Sequence, residues 1–292
     1  MSQAIRRVAV VGLGNMGAPM ARRLKGAGFE VIGCDADPAT RTRLGGEIEI
    51  AENPDAFART DATLLSLPNS AIVERVTLGP GGFLERASEG ALLIDTSTAS
   101  PSSTRMIAAR LAERGLAMLD APVSGGAAGA IDGKLTVMLG GADAAVARAR
   151  PVLAPLAAKV IHVGASGAGN VAKLANNLLC AAHLVTAAEA MKLARDAGVA
   201  PERLLEVVNV ASGRSAVTEV NMTRWILSGA FDSGFTMGLM RKDVGLALDL
   251  ARELGLDLAL ATEVGRLWRD SRAAIDDGAD FNRIVEIAGH AP

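Results

Sequence analysis

Lys173 and Asn177 are the residues whose types and spacing most directly suggest acid–base chemistry. They lie four residues apart in an otherwise apolar stretch, so on a helix they share one face. Burial lowers the pKa of an amine toward neutrality, where it can take and return a proton. Asn177 could orient the lysine or a substrate hydroxyl. The alternative is a surface lysine whose stem covers apolar residues.

A second candidate is Ser124 with Gly125 and Gly126, in the segment Asp-Ala-Pro-Val-Ser-Gly-Gly that begins at Asp120. Ser124 supplies a hydroxyl, and the two glycines expose backbone N–H groups that can hold a carboxylate. The alternative is a glycine turn without a ligand.

A third candidate is Lys242, which precedes Asp243 in a predicted helix. Its amine could reach over a bound cofactor. An exposed helix face with salt bridges is the alternative, and it is the interpretation that we favour for the neighbouring Arg241.

A glycine motif precedes all three candidates. Gly12, Gly14 and Gly17 have the spacing G-x-G-x-x-G, between an apolar strand at 8–11 and a helical pattern. The first glycine permits a tight turn, the second lets a pyrophosphate approach, and the third lets helix and strand pack closely. The helix N-terminus then faces the phosphates. The predicted cofactor contacts here are Gly12, Leu13, Gly14, Asn15, Met16 and Gly17.

Asp35 ends the second apolar strand at 29–34, 18 residues beyond Gly17. A carboxylate at this position hydrogen-bonds a ribose diol and repels a 2′-phosphate. We therefore predict NAD as the preferred cofactor, with NADP possible because Arg41 and Arg43 follow nearby. The alternative is an ordinary glycine turn beside a solvated aspartate.

Strand and helix patterns alternate as far as residue 163. The further strand runs lie at 62–67, 91–94, 116–119, 135–139 and 160–163. Such alternation predicts a largely parallel sheet with helices on both faces, which binds ligands beyond the carboxyl ends of its strands. Leu67 and Pro68 are expected on the adenine or ribose side, and Thr98 near the nicotinamide. Alternatively, Pro68 only stops a strand and Thr98 only caps a helix.

From about residue 164 the pattern is helical. A long helix is predicted at 169–196, and others at 201–210, 216–227, 237–254, 257–276 and 281–287. The sequence therefore predicts a Rossmann-type α/β domain at 1–163 and an all-α domain at 164–292, joined by the long helix.

Composition excludes several classes of protein. The formal net charge is −2 and no long basic run occurs, which argues against general nucleic-acid binding. No stretch has 18 uninterrupted apolar residues, so we expect no membrane span. The first strand begins within the first ten residues, so we expect no targeting peptide and a cytoplasmic location.

The cysteine, tyrosine and histidine content excludes further kinds of site. Cys34 and Cys180 are the only cysteines, so a disulfide framework or zinc site is not expected, and both suggest buried packing. The chain has no tyrosine, which excludes a tyrosine proton donor. His162, His183 and His290 form no pattern, and we expect structural or surface positions for them. No metal is predicted.

Taken together, these motifs identify a resemblance that covers nearly the whole chain. The sequence resembles the β-hydroxyacid dehydrogenases, which include 3-hydroxyisobutyrate dehydrogenase and tartronate semialdehyde reductase. The resemblance rests on the segments 12–17 with 20–21, 120–126, 169–177 and 242–243.

The resemblance implies a role for each candidate. Lys173 matches the catalytic lysine and Asn177 the asparagine that assists it. Ser124, Gly125 and Gly126 match the loop that grips the substrate carboxylate, and Lys242 a lysine near the cofactor. The family acts on small β-hydroxy acids and forms homodimers or homotetramers. NADP-preferring relatives carry Asn-Arg where this chain has Cys34 and Asp35.

Three alternatives to a β-hydroxyacid dehydrogenase stay open at this point. They are a non-catalytic dinucleotide-binding homologue, a decarboxylating 6-phosphogluconate-type enzyme, and a reductase of another carbonyl or imine substrate. The substrate itself is also open. Arg214 or Arg224 could bind a second anionic group, or both could be surface arginines.

Overall fold

The computed structural model describes residues 4–288 and divides the chain into two compact units. The first unit ends at Lys173 and the second begins at Leu174, so the division falls within one long helix, Ala168–Asp196. The α/β domain, the helical domain and the long helix between them are confirmed. The domain limits at 163 and 164 stay a prediction.

The first unit is a nine-stranded sheet with helices. Its strands are β1 Arg7–Val11, β2 Glu30–Cys34, β3 Glu49–Ile50, β4 Ala62–Leu65, β5 Leu92–Asp95, β6 Ala117–Asp120, β7 Val123–Ser124, β8 Leu135–Gly140 and β9 Ala157–Gly164. Its helices are α1 Gly17–Gly26, α2 Pro38–Leu44, α3 Asn53–Ala58, α4 Ser70–Leu78, α5 Phe83–Arg86, α6 Pro101–Ala112, α7 Gly126–Asp132 and α8 Asp143–Leu153, followed by α9 Ala168–Asp196.

The strand order is β3-β2-β1-β4-β5-β6-β8-β7, with β9 beside β8. The six strands β1 to β6 are parallel to one another, as predicted. Strand β8 runs antiparallel to both β6 and β7. The chain moves outward from β1 to β3 and then returns to the other side of β1 with β4. Such a reversal opens a crevice beyond the carboxyl ends of the strands, where ligands bind in folds of this kind.

Both faces of the sheet are covered. Val8 and Val10 pack into one apolar cluster, and Ala9 and Val11 into another. Successive side chains of a strand point to opposite faces, so a strand buried on both sides must be apolar throughout. This is why the central strands were recognisable as continuous apolar runs.

The second unit is helical over its described residues. It continues α9 with α10 Pro201–Val208, α11 Met237–Glu253, α12 Ala259–Asp270, α13 Val285–Ala288, a π-helix at Val217–Ile226, and 3-10 helices at Ser271–Ala273 and Phe281–Ile284. Its core surrounds the fully buried Trp268, whose Nε1 donates a hydrogen bond to the carbonyl oxygen of Ala181 at 3.2 Å.

Several predicted elements need correction. The helix expected at 257–276 ends at Asp270 and tightens into a 3-10 turn, where the Ser271 hydroxyl bonds to the Trp268 carbonyl at 2.6 Å. The segment expected as a helix at 216–227 is a π-helix. Helices α7 and α8 were not predicted, because their alanine-rich sequences give little contrast between apolar and polar faces.

Helix α9 is the longest and one of the most apolar helices of the described residues. By length and composition alone it would suit a membrane span, a test that the core helix of a soluble protein also passes. In the protein, 44% of its most apolar window is buried.

Both cysteines and His183 are buried or half-buried, and His162 contacts the backbone. Cys34 is buried, and this burial raises the pKa of its thiol to about 12. Cys180 is half-buried against the core of the second unit. His162 places Nε2 at 2.9 Å from a backbone carbonyl oxygen, and His183 is half-buried in α9. His290 lies outside the described residues.

Arg241 is buried, which corrects the expectation of an exposed helix face. It keeps 8% of its surface exposed. Its guanidinium pairs with Asp277 at 2.5 Å and donates to the carbonyl oxygens of Trp268 at 3.1 Å and Ile275 at 2.9 Å. Arg241 therefore joins α11 to the end of α12 and the turn that follows.

We expect Arg241→Ala to lower the free energy of unfolding of the second unit by about 3 kcal/mol, because it leaves a cavity and unpaired buried carbonyls. Urea unfolding followed by tryptophan fluorescence measures this, since Trp225 and Trp268 both lie in that unit. Arg252→Ala is the control: Arg252 pairs with Asp249 but is 72% exposed, so we expect a change within about 0.5 kcal/mol. Equal effects of the two variants would contradict the structural role of Arg241.

Candidate active site

The three motif glycines of the first unit differ in the space around them. A Cβ on Gly12, where φ is +88°, would lie 2.2 Å from the Ser66 carbonyl oxygen, and one on Gly17 would lie 1.7 Å from the Gly12 carbonyl oxygen. A Cβ on Gly14 would meet nothing within 4 Å. Gly12 and Gly17 are thus required for packing, whereas Gly14 leaves the surface of the loop open.

The other residues of this loop have separate surroundings. The Leu13 side chain is fully buried in the core, so only its backbone can face a ligand. Asn15 is exposed, and Met16 is half-buried directly before α1. The loop and the first turn of α1 therefore fit the phosphates of a dinucleotide.

Asp35 lies at the end of β2, against the glycine loop. Its Oδ2 accepts a hydrogen bond from the Leu13 backbone N–H at 2.6 Å, and its Oδ1 accepts one from the Asp37 N–H at 2.8 Å. The Arg41 guanidinium donates to the Asp35 carbonyl oxygen at 2.8 Å. A carboxylate and a guanidinium thus belong to the same turn.

The turns after β4 and β5 are bonded to each other. The Leu67 N–H donates to the Ser97 hydroxyl at 2.9 Å. Leu67 and Thr98 are half-buried, and Pro68 is exposed. Ser100, not Thr98, caps helix α6, so helix capping does not account for Thr98.

Ser124 belongs to a short strand and not to the glycine loop that we expected. Strand β7 pairs Ser124 with Thr136 of β8, and helix α7 begins at Gly126. Gly125 and Gly126 have φ values of +125° and +62°, which permit the turn between them. Both glycines are exposed and Ser124 is half-buried, so a hydroxyl and backbone N–H groups lie at one surface.

The start of α9 is fastened to the end of β6. The Asp120 carboxylate is completely buried and accepts hydrogen bonds from the N–H groups of Gly167 at 2.8 Å and Asn170 at 2.9 Å. Burial raises the pKa of Asp120, and these hydrogen bonds act in the opposite direction. Neither Asp120 nor Asn170 was predicted to have a function of its own, although an aspartate at the end of a strand was a signal.

Lys173 is one turn beyond Asn170 on the same helix. It keeps only 7% of its surface exposed. The alternative of a surface lysine is therefore wrong.

In the second unit, Asn177, Lys242 and Asp243 lie together. The Asn177 amide donates to Asp243 Oδ2 at 2.6 Å, and the Lys242 ammonium lies 3.0 Å from Asp243 Oδ1. Asn177 and Asp243 keep 5% and 1% of their surfaces exposed, and Lys242 is half-buried. Buried charges are tolerated when they are paired in this way.

Arg214 and Arg224 lie on the surface of the second unit. Arg214 approaches Glu219 at 3.6 Å, and Arg224 stacks over Trp225 at 5.3 Å from the ring centroid. Both side chains are exposed, as the surface alternative predicts.

Comparison with known proteins identifies the family. The chain is 37% identical over 284 residues to 2-(hydroxymethyl)glutarate dehydrogenase of Eubacterium barkeri, covering 96% of this chain and 94% of that one. Residues 167–288 match the family model described as NAD-binding of NADP-dependent 3-hydroxyisobutyrate dehydrogenase. The chain belongs to the 3-hydroxyisobutyrate dehydrogenase family. Residues 7–164 match the family model described as the NAD binding domain of 6-phosphogluconate dehydrogenase.

Two further relatives are similar to this chain over most of its length. The structure of 3-hydroxyisobutyrate dehydrogenase of Mycobacterium tuberculosis with L-serine has a TM-score of 0.91 and 34% identity, covering 97% of this chain and 99% of that one. NAD-dependent L-serine dehydrogenase of Pseudomonas aeruginosa is 39% identical over 256 residues, which are 85% of this chain and 86% of that one.

Membership of the family settles the general activity. The chain is an NAD(P)-dependent oxidoreductase of the 3-hydroxyacid dehydrogenase class, and its cofactor is a nicotinamide dinucleotide. The predicted family, fold and cofactor are confirmed, and the non-catalytic alternative is not supported.

Proposed function

We propose that this enzyme oxidises the hydroxyl group of a small β-hydroxy acid to the semialdehyde, with Lys173 as the general acid–base and NAD as the preferred cofactor. The observation that carries the proposal is the burial of Lys173, 7% exposed, one turn before Asn177 on α9. The pKa of a lysine amine shifts readily when the side chain is buried, and such an amine is well suited to general acid–base catalysis.

The reaction needs three tasks from the protein. Ser124 and the backbone N–H groups of Gly125 and Gly126 hold the substrate carboxylate. Lys173 takes the proton from the hydroxyl on the β-carbon, and Asn177 orients the hydroxyl or the lysine. When bound, the cofactor accepts the hydride that leaves this carbon. In the reduction direction, Lys173 returns the proton to the carbonyl oxygen.

The residues that we assign to the cofactor fit a dinucleotide. The open surface above Gly14 leaves room for the pyrophosphate, and the Asp35 carboxylate stands where a ribose diol needs an acceptor. Residues 12–17 follow the phosphates. Leu67 and Pro68 contact the adenine or ribose side. We assign Thr98 and, from the family resemblance, Lys242 to the nicotinamide.

The experiment that tests the function is a substrate panel. It contains 3-hydroxyisobutyrate, L-serine and 2-(hydroxymethyl)glutarate, each with NAD and NADP, and lactate as an α-hydroxy acid control. We expect at least one β-hydroxy acid to be oxidised about 100-fold more efficiently than lactate, with the semialdehyde trapped as a hydrazone. Preferential oxidation of lactate, or no oxidation at all, would contradict the proposal.

Cofactor preference gives a separate prediction. We expect Asp35→Asn to lower the ratio of kcat/KM with NAD to kcat/KM with NADP by about 30-fold, since about 2 kcal/mol of discrimination is lost. The amide no longer repels a 2′-phosphate, and Arg41 stays fastened to the turn. The control is Asp37→Asn. Asp37 caps α2, and we expect its replacement to leave the ratio of the two kcat/KM values unchanged. An unchanged ratio in both variants would show that Asp35 does not select the cofactor.

We also propose that the enzyme is a cytoplasmic homodimer or homotetramer. The second unit exposes large apolar side chains, among them Val210 at 87%, Leu193 at 74% and Leu260 at 84%. Apolar side chains of this kind suit the buried centre of a contact between identical subunits, which the family resemblance also implies. Light scattering of the purified enzyme tests this, and a monomeric mass at micromolar concentration would exclude it.

A further inference from the structure

We propose that Asp120 and Asn170 are positioning residues that hold the start of α9, and with it Lys173, in place against the turn that contains Thr98. The inference rests on the proposed function, because it concerns the placement of the proposed acid–base. Neither residue needs to touch substrate or cofactor for this role.

The start of α9 needs a partner from elsewhere in the chain. The first N–H groups of a helix have no acceptor within the helix, and a side chain at the N-cap commonly supplies one. Here the residue before the helix is Gly167, which has no side chain and a φ of +89°. The Asp120 carboxylate, 47 residues away in sequence, accepts from Gly167 at 2.8 Å through Oδ1 and from Asn170 at 2.9 Å through Oδ2.

The surroundings of the Asp120 carboxylate leave no space for water molecules that could accept these hydrogen bonds in its place. Asp120 is completely buried. A Cβ on Gly140 would lie 2.5 Å from Asp120 Oδ1, and one on Gly169 would lie 2.9 Å from Asp120 Oδ2. Two backbones thus close around the carboxylate, so loss of its acceptors leaves buried N–H groups unpaired, which is costly.

The Asn170 side chain extends this connection to a second turn. Its Oδ1 accepts from the Ala99 N–H at 3.0 Å, and its Nδ2 donates to the Thr104 hydroxyl at 3.1 Å. Asn170 is also completely buried. Its amide therefore has a donor and an acceptor placed for it, which fixes its orientation.

The connected atoms join three parts of the first unit. They are the end of β6, the start of α9 and the turn after β5, where Ala99 follows Thr98. Lys173 is three residues beyond Asn170, so a shift of the helix start moves the base of its side chain. Displacement of a reacting group by about 1 Å can cost about 100-fold in rate.

The first experiment measures the connection without a substrate. Amide hydrogen exchange is followed by mass spectrometry in the full-length protein, in peptides that cover residues 164–176. We expect Asp120→Asn to speed the exchange of the Gly167 or the Asn170 amide at least about tenfold, because the asparagine side chain keeps one acceptor oxygen and turns an NH2 group, which cannot accept, toward the other N–H. Unchanged exchange would overturn the proposal.

The second experiment tests the consequence for catalysis. We expect Asp120→Asn and Asn170→Ala to lower kcat about 10- to 100-fold per NADH-binding site. The primary deuterium isotope effect with substrate labelled at the β-carbon should rise, and the NADH Kd should stay within about twofold. A purely structural role would only reduce the number of active sites, leaving the isotope effect and KM unchanged, and would overturn the proposal.

The controls separate the possible failures. Asp280→Asn removes a half-buried carboxylate that accepts backbone hydrogen bonds in the second unit, from Ser233 at 2.7 Å and Asn282 at 3.0 Å, and should change neither exchange at 164–176 nor the isotope effect. If Asp120→Asn does not fold, Asn170→Ala still tests the proposal, because it keeps the backbone bonds to Asp120. If the wild-type enzyme oxidises no β-hydroxy acid, the proposed function fails, whereas the exchange result still decides whether Asp120 holds the helix.

Discussion

Replacement of Lys173 with methionine is expected to lower kcat/KM for the β-hydroxy acid by about 1,000-fold or more, with the NADH Kd within about twofold of wild type. General acid–base groups contribute about 100- to 10,000-fold. Methionine matches the unbranched apolar stem of the lysine, and the site is nearly closed to solvent, with 7% of Lys173 exposed. Steady-state kinetics and a fluorescence titration with NADH measure the two quantities.

A second variant of Lys173 shows whether catalysis needs proton transfer by this residue or only its positive charge, and a variant of Lys192 is the control. Lys173→Arg keeps a positive charge, but a guanidinium does not give up its proton at neutral pH, so we expect nearly the same loss. Lys192→Met makes the identical change on the same helix, at a lysine that pairs with Asp196 at 2.5 Å, and should leave kcat/KM within about twofold. Activity that survives in both Lys173 variants would remove this residue from the mechanism.

The second large effect is expected at Gly17. In Gly17→Ala the new Cβ would stand 1.7 Å from the Gly12 carbonyl oxygen and 3.4 Å from the Ser66 Cβ. The contact with the carbonyl is a backbone contact, so helix α1 or the glycine turn must move. We expect the first unit to lose about 3 kcal/mol or more of its stability, measured by unfolding followed by circular dichroism.

Gly14→Ala is the matched comparison, because the same methyl group enters open space. Nothing lies within 4 Å of the position of its Cβ, so we expect stability to change by less than about 1 kcal/mol. The NADH Kd should rise about tenfold or more, since the methyl group occupies the surface that the pyrophosphate approaches. If Gly14→Ala binds NADH normally, the loop does not contact the phosphates as proposed.

Much of the first unit was predictable because its signals are local. Strand β1 was expected at 8–11 and is found at Arg7–Val11, and the strands through Leu65 and Asp95 were found in the same way. Burial on both faces makes such strands apolar throughout, and a glycine turn has a fixed spacing. The lysine four residues before an asparagine was likewise visible, because helical spacing is a property of the sequence.

Other features depend on which distant segments meet. Arg241 was expected on the surface, yet its partners come from Trp268, Ile275 and Asp277, which only the packing of α11 against α12 brings near it. Thr98 was weighed as a helix cap, yet the cap is Ser100. The antiparallel strand β8 also looks like any other apolar run, since the direction of a strand leaves no mark on its composition.

By itself the sequence determined the dinucleotide-binding turn, the alternation of the main strands and helices, the family, and the lysine proposed for acid–base chemistry. These follow from periodicity, glycine sterics and residue type, which act between near neighbours. Only the tertiary structure decided that Lys173 is buried and that Asp120 caps a helix 47 residues away. A buried polar group is stable only with a partner, and that partner is chosen by the strand ends that the fold brings together.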